Sequence, residues 1–368
     1  MLVDVEVNER EEIPSWLAYG TPVFTILAAL LVGAVAILAV GESPIVAYDQ
    51  MFVHTLTEMR NLSEVMVRAA PLILAGLAVY LPMKAGLWNI GAEGQLIAGA
   101  VAGTLVGLNV SLPQYALLPL MILAAGFAGA CWGFIPAWLR AKWGINEIIT
   151  TLLFTFIAIE LQLYLVRGHM QGGFGGFPQT DRLSEAALLP SFTGFDIPSS
   201  IFLALLVVAG VYVLMEYTRL GFQITFVGSN DEAAEQAGMS KFKIVLFTLV
   251  VGGAFAALAG ISEIAGNRGR LQASFEPGYG FTAIPIALLG RNGAFKVLLA
   301  ALFFALLFVG GDSVSVAMDV PFALIEIIQA LIILFLITAE FFKSYSIDIS
   351  VGRAGSDPTE PAEVTAND

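Results

Sequence analysis

The chain has 368 residues, 58% hydrophobic and 13% charged, with a formal net charge of −13 and a mean hydropathy of +0.83. A soluble chain carries about a quarter of its residues as charges, so an ordinary soluble domain is excluded, and the acidic balance argues against a nucleic-acid partner. One cysteine inside an apolar run (Cys131) and two histidines in separate loops (His54, His169) exclude a disulfide framework and a thiol or imidazole metal centre.

Residues 1–20 form an acidic leader (Asp4, Glu6, Glu9, Glu11, Glu12) without the short basic start of a signal peptide. Charge-free apolar runs follow at 22–40, 115–138, 197–215 and 244–261, and runs with isolated polar groups at 65–81, 90–110, 145–166 and 321–339. The run 297–311 is shorter, and 281–290 is too short to cross. Spanning about 30 Å of hydrocarbon takes about 20 apolar residues as a helix. The order predicts an all-α, polytopic membrane domain over 21–343, with about ten segments. The end, 344–368, reads as an acidic disordered tail.

With the N-terminus inside, alternating segments place the larger share of the 17 Lys and Arg residues on the cytoplasmic side. Both termini are then cytoplasmic, loop 217–243 lies inside, and loop 167–198 lies outside. That outer loop, rich in Gly and Pro, reads either as a contact for an external partner or as a flexible spacer. Acid gathered at both chain ends fits a halophile, since salt shortens the Debye length to about 3 Å at 1 M. The alternative is two acidic tails without environmental meaning.

Polar groups inside the apolar runs are the candidates for a translocation pathway. In GLWNIGAEGQ, Asn89, Glu93 and Gln95 stand where a Gly-broken segment begins. Glu93 reads either as a pathway group or as a partner for neighbouring backbone amides. Gly99, Gly103 and Gly107 form a small face for close helix packing. Asn146 and Glu147 sit at a helix start, where capping is the competing role. Thr155, Glu160, Thr282 and Glu326 complete the set, each with a packing or helix-to-helix bonding alternative. The stretch 278–297, broken by Pro285 and ending Gly-Arg-Asn-Gly, reads as a discontinuous helix pair.

The polar stretch 217–243 carries its own helix signals. Asn230 can cap, Asp231 and Glu232 favour the positive end, Ala233, Ala234 and Glu235 propagate, and Gly238 can close the helix in the left-handed conformation. So short a helix is marginal alone, so its own loops or another subunit must hold it.

Taken in order, GLWNIGAEGQ, INEIITTLLF, NDEAAEQAG, LAGISEIAG with GRLQ, and GYGFTAIPIALLGRNG resemble the permeases of ATP-binding-cassette importers. The subgroup resembled is that for ribose, simple sugars and nucleosides, related to the branched-chain amino-acid permeases, over roughly residues 60–340. Thr155 and Phe156 depart from an Asn-Tyr pair, and Pro285 from a small residue. The resemblance implies a permease of the cytoplasmic membrane, a membrane-lipid environment, a second permease subunit, an extracytoplasmic solute-binding protein and an ATPase subunit docking at Asn230–Gly238. It implies a nucleoside narrowly ahead of a simple sugar as the small-molecule substrate. The sequence has no G-x-x-x-x-G-K-[ST] loop, so no cofactor is expected in this chain, ATP belongs to the partner, and no catalytic residue is assigned. An ion-coupled transporter and an intramembrane enzyme are the rival readings.

Overall fold

A computed structural model describes residues 2–9, 15–173, 176–192, 197–318 and 320–352. In chain order the helices are α1 (Ser15–Ala39), α2 (Pro44–Tyr48), α3 (Thr55–Thr57), α4 (Met59–Lys84), α5 (Ala92–Asn109), α6 (Gln114–Trp143) and α7 (Glu147–Arg167). There follow α8 (Ser200–Tyr217), α9 (Arg219–Ser229), α10 (Asp231–Gln236), α11 (Lys241–Glu263), α12 (Tyr279–Leu289), α13 (Ala294–Ala317) and α14 (Phe322–Ser344). Wider π-type turns occupy Asp49–His54 and Ile264–Arg268.

Seven helices among the described residues are long and apolar enough to cross a membrane: α4, α6, α7, α8, α11 (continued to Arg268), α13 and α14. The expected count of about ten is not confirmed. α12 has 11 residues, about 16 Å at 1.5 Å per residue, half of a crossing. α5 begins with Glu93 and Gln95 and ends with Asn109, which lowers its hydropathy, but α6, α7 and α11 shield it. The described apolar part of α1 is only Leu27–Ala39.

α4 is the central post. Its residues from Ala69 to Leu81 are at most 1% exposed, and α11, α13, α12 and α8 pack around it. The outer helices α6 and α7 bury only 22% of their apolar windows, as lipid or a second subunit allows. The expected small face is used as such: Gly99 meets Ala257, Gly103 meets Ile261, and Gly107 meets Leu183 and Met121. From α11, Gly260 returns the contact, sitting against the backbone of Leu96 and Ala100.

Two ribbons add the only strands among the described residues. Leu2–Glu9 (β1) pairs antiparallel with Tyr345–Gly352 (β4), from Leu2 opposite Gly352 to Glu9 opposite Tyr345. Ser191–Phe192 (β2) pairs with Ile197–Pro198 (β3). The β4 strand occupies the start of the stretch expected to be a disordered tail. Its alternating Ile347, Ile349 and Val351, facing the alternating Val3, Val5 and Val7 of the leader, is a two-residue period that supports pairing. Residues 353–368 lie outside the described part.

The close α5–α11 packing gives a direct test. A Cβ at Gly260 would overlap the Leu96 carbonyl oxygen, whereas one at Gly126 would meet only Leu258 Cδ2 at 3.7 Å. Gly260→Ala is expected to destabilise the purified protein by about 1–3 kcal/mol through overpacking. Gly126→Ala is expected to leave its thermal midpoint unchanged.

Candidate functional site at a broken membrane segment

After α11 and its π-type turn, the chain does not leave the bundle but runs back into it. Gln162 of α7 donates from Nε2 to the carbonyls of Gln272 and Ala273, both at 3.1 Å. Further on, Gly278 N–H and Gly280 N–H donate to Glu93 Oε1 and Oε2, at 2.9 and 2.6 Å. Gly94, next to Glu93, sits against Thr155 of α7. From Gln162 to Thr155 is about 10 Å along the helix, so residues 272–278 descend that far within the α7 span before α12 begins. The discontinuous segment is therefore an irregular, turn-containing stretch followed by the half-helix α12. The expected break at 290–293 before a new helix near Phe295 is present, and the helix that follows it, α13, is a full 24-residue span.

Along the stretch before α12, Leu271, Ala273 and Phe275 are buried while Gln272, Ser274 and Glu276 are exposed. The backbone turns here, with Phe275 N–H donating to Gln272 O at 3.1 Å and Glu276 N–H to Ser274 O at 3.0 Å, and the turn leaves a row of three polar side chains exposed. Sequence reading passed over these three residues; the signal was alternation in LQASFE after a glycine-rich turn.

The outer loop holds this stretch in place. Ala273 N–H donates to the Pro178 carbonyl (2.9 Å), Thr180 N–H to Leu271 (2.9 Å), Leu183 N–H to Gly269 (2.8 Å) and Leu189 N–H to Ala265 (2.9 Å). Residues 178–189 are thus stitched to the re-entrant segment, which replaces the flexible-spacer reading for that part of the loop.

Glu93 is 1% exposed and accepts from amides far along the chain, not from its own helix start, where Gly91 makes no side-chain cap. Gly280 is required here: any Cβ would overlap the Glu93 backbone. Asn89 and Gln95 form a reciprocal amide pair (2.8 and 3.1 Å), with Asn89 also donating to Ala78 O (3.2 Å). Both are buried and turned on each other. Glu147 pairs with Arg140 at 3.1 Å and receives Trp88 N–H at 3.4 Å. Asn146 caps α7 through Ile148 N–H at 2.8 Å. Thr155 and Thr282 bond to carbonyls one turn earlier in the chain. Glu160 and Glu326 are exposed on α7 and α14. The structure gathers Asn89, Glu93, Gln95, Thr155 and Thr282 around the broken segment, and leaves Asn146 and Glu147 at the foot of α7 and Glu326 on α14.

Arg68, expected in an outer loop, lies inside α4. Its guanidinium meets Asp312 of α13 at 2.5 Å and Glu64 at 3.7 Å. Glu263 is likewise matched, by Arg268 Nε at 2.9 Å and Asn267 at 3.1 Å. The Arg268 guanidinium also lies 5.2 Å from the Phe275 ring centroid.

At the opposite end, α10 forms as expected. Asn230 Oδ1 accepts from Ala233 N–H at 2.9 Å, and Gly238 closes the turn at φ +79°. Ala234 is buried in one apolar cluster with Ile224 and Val227 of α9 and Ile244 of α11, while Glu232, Glu235 and Gln236 are exposed. Its own chain therefore holds it, chiefly through α9, an element the sequence reading did not separate. Thr218 caps α9 at Gly221 N–H (3.1 Å), and Leu220, Ile224 and Val227 supply its helical period. An ion pair joins Asp231 to Lys241 and holds the Asp231 carboxyl below its usual range. Lowered in the folded state, this carboxyl adds stability above the ordinary carboxylate pKa of about 3.9, lost as pH falls through the lowered value.

The family described as branched-chain amino acid transport system, permease component, matches residues 61–337. The chain belongs to this family. It is 62% identical to a glucose ABC transporter permease protein of Haloferax volcanii, over 100% of this chain and 99% of that one. It is 33% identical to a guanosine ABC transporter permease protein of Bacillus subtilis, covering 90% and 95%. It is 30% identical to a nucleoside ABC transporter permease protein of Lactococcus lactis, covering 86% and 89%. This permease is a multi-pass translocation subunit without an ATPase site of its own, which sets aside the intramembrane-enzyme reading. An ABC permease works with a separate ATPase and, for import, a substrate-binding protein.

At α10 the permease offers a test. Nothing lies within 4 Å of a Cβ at Gly238, so Gly238→Val introduces only backbone strain, of about 1–2 kcal/mol or more for a β-branched residue. Glu232→Arg replaces a charge favoured at the helix start by about 0.3–1 kcal/mol. Both variants are expected to reach the membrane at normal levels and to lose transport-coupled ATP hydrolysis. Wild-type hydrolysis in both would contradict a docking role for α10.

Proposed function

We propose that this permease imports a neutral hydrophilic solute, a simple sugar ahead of a nucleoside, handed over by an extracytoplasmic binding protein. A separate ATPase docks on the exposed face of α10 and supplies the ATP chemistry. The polar row Gln272, Ser274 and Glu276 carries this reading. Irregular backbone at membrane depth is tolerated where it is enclosed by protein or borders water, and here the turn leaves an amide, a hydroxyl and a carboxylate exposed. Such groups suit a polyol through hydrogen bonds.

A second polar position is Glu160, about 200° around α7 from the buried Gln162 that meets residues 272 and 273. It is exposed on α7 among Phe156, Ile157, Leu161 and Tyr164, all exposed. A carboxylate in mid-span is costly against lipid, so this face of α7 belongs to a watery path closed by a second permease subunit. Asn89, Gln95 and Thr155 serve this path as support, since their bonds turn inwards.

Charge selects the cargo. Among the described residues, the basic group placed well inside a span is Arg68, and Asp312 neutralises it. An anionic cargo would meet acid without free positive charge, which is expensive at low dielectric. The preference for a sugar draws on the 62% identity to the glucose permease, against 33% for the guanosine permease, and reverses the order expected from the motifs. The orientation carried forward has both chain ends in the cytoplasm, in keeping with the β1–β4 pairing that joins them. The acidic ends fit a high-salt cell.

Reconstituted with its binding protein and ATPase, the permease is expected to take up labelled glucose or ribose in preference to guanosine and to exclude a sugar phosphate. Preferential uptake of the sugar phosphate would contradict the electrostatic basis. In a Cys131→Ala background, Ser274→Cys is expected to react with a membrane-impermeant thiol reagent added outside and to be protected by cargo. An unreactive thiol at 274 would remove the row from the path.

A further inference from the structure

We propose that Glu93 is a positioning residue that fixes the start of half-helix α12 and ties it to the cytoplasmic docking face. This rests on the docking reading of α10. Two lines of rigid contact meet at its carboxylate.

From the inside, α10 follows α9 with Asn230 between them, and the last turn of α9 presses on the end of α4. A Cβ at Gly228 would overlap the Lys84 carbonyl oxygen and lie 3.0 Å from Gly86 N, and Gly86 itself takes a φ of +73°. Only glycine at 228 permits this backbone-to-backbone seat. From Gly86 the chain reaches Glu93 through six residues that are pinned at several points. Trp88 N–H is held by Glu147 (3.4 Å), Asn89 by Gln95 (2.8 Å), and Gly91 lies against the Thr151 backbone. Movement of α9 and α10 therefore passes to Glu93 through main chain, with little side-chain slack to absorb it.

From the outside, residues 178–189 grip 265–273 by four backbone bonds, and the grip leads through the polar row to Gly278. The two amides at Gly278 and Gly280 end on Glu93. A carboxylate suits this junction because it offers two acceptor oxygens and no donor. Glutamine would turn an NH2 group on one of the two N–H donors, keeping size and losing the match. Aspartate keeps both acceptors on a shorter stem.

The experiment uses full-length permease in lipid, alone and with its ATPase and cargo-loaded binding protein. It compares wild type, Glu93→Gln and Glu93→Asp. Amide hydrogen exchange at 278–280 is read in the permease alone. For Glu93→Gln, exchange there is expected to quicken about tenfold or more, as the loss of a charge-assisted bond implies. Exchange at 178–189 should be unchanged, and the ATPase should still copurify. In the complex, maximal uptake should fall about tenfold, with the KM for loaded binding protein within about twofold, since the lost bond positions the segment and does not touch cargo. Glu93→Asp should recover part of both protection and uptake.

Wild-type exchange and uptake in Glu93→Gln would overturn the proposal, as would exposed Gly278 and Gly280 amides in the wild type. A rise in KM alone would also overturn it, making Glu93 a cargo contact. If the wild-type permease fails to bind the ATPase, the docking reading fails by itself. The exchange arm then still decides whether Glu93 holds α12.

Discussion

A backbone that enters a membrane without regular structure must find a partner for each buried N–H and C=O, because unpaired groups there cost several kcal/mol each. This requirement organises the permease. Among the described residues the stretch before α12 makes a single bridge, Gln272 opposite Gln179, so its remaining polar groups are met one at a time. Gln162 serves two carbonyls, Thr180 and the outer loop serve the upper end, and Glu93 serves the two amides at the foot. Remove the last pair and the positive end of α12 has no ligand in a nearly dry interior. The glycines at 94 and 280 follow from the same need, because only backbone without a Cβ lets α5, α7 and α12 come close enough.

Charge is treated with equal economy. Arg68 meets Asp312, Arg140 meets Glu147, and Arg268 meets Glu263, so three cations near or within the spans are bound to acids of the same chain. Buried pairs of this kind contribute little net stability, but removing one partner leaves a costly uncompensated charge. Glu160, Glu276 and Glu326 are exposed acids outside these pairs, on α7, the stretch before α12 and α14. On the proposed reading, exposed acid beside the broken segment suits a neutral, hydroxyl-rich cargo.

Sequence made some of this legible and hid the rest. The α10 helix was readable to the residue because caps are local: Asn230, Asp231 and Gly238 act within one turn. The half-helix α12 was readable from its length alone. The partner of Glu93 was not, since 185 residues separate it from Gly278, and neither end carries a mark of the other. Arg68 read as a loop residue because the acids that make it tolerable inside α4 lie one turn away and on α13. The polar row 272–276 is hard to read because three alternations in a loop-like stretch resemble any turn; what sets it apart is the backbone bonds that residues 178–183, far away in the chain, make to it and to the residues just before it.

The most direct measurement is an experimental structure of the membrane-embedded permease at a resolution that places the Glu93 carboxylate. The account predicts both carboxylate oxygens within about 3.2 Å, hydrogen-bonding distance, of the Gly278 and Gly280 nitrogens, with residues 272–276 in an irregular turn and the side chains of Gln272, Ser274 and Glu276 facing water. A Glu93 carboxylate turned to the path, with those two amides bound elsewhere or α12 continued upward as regular helix, would contradict it.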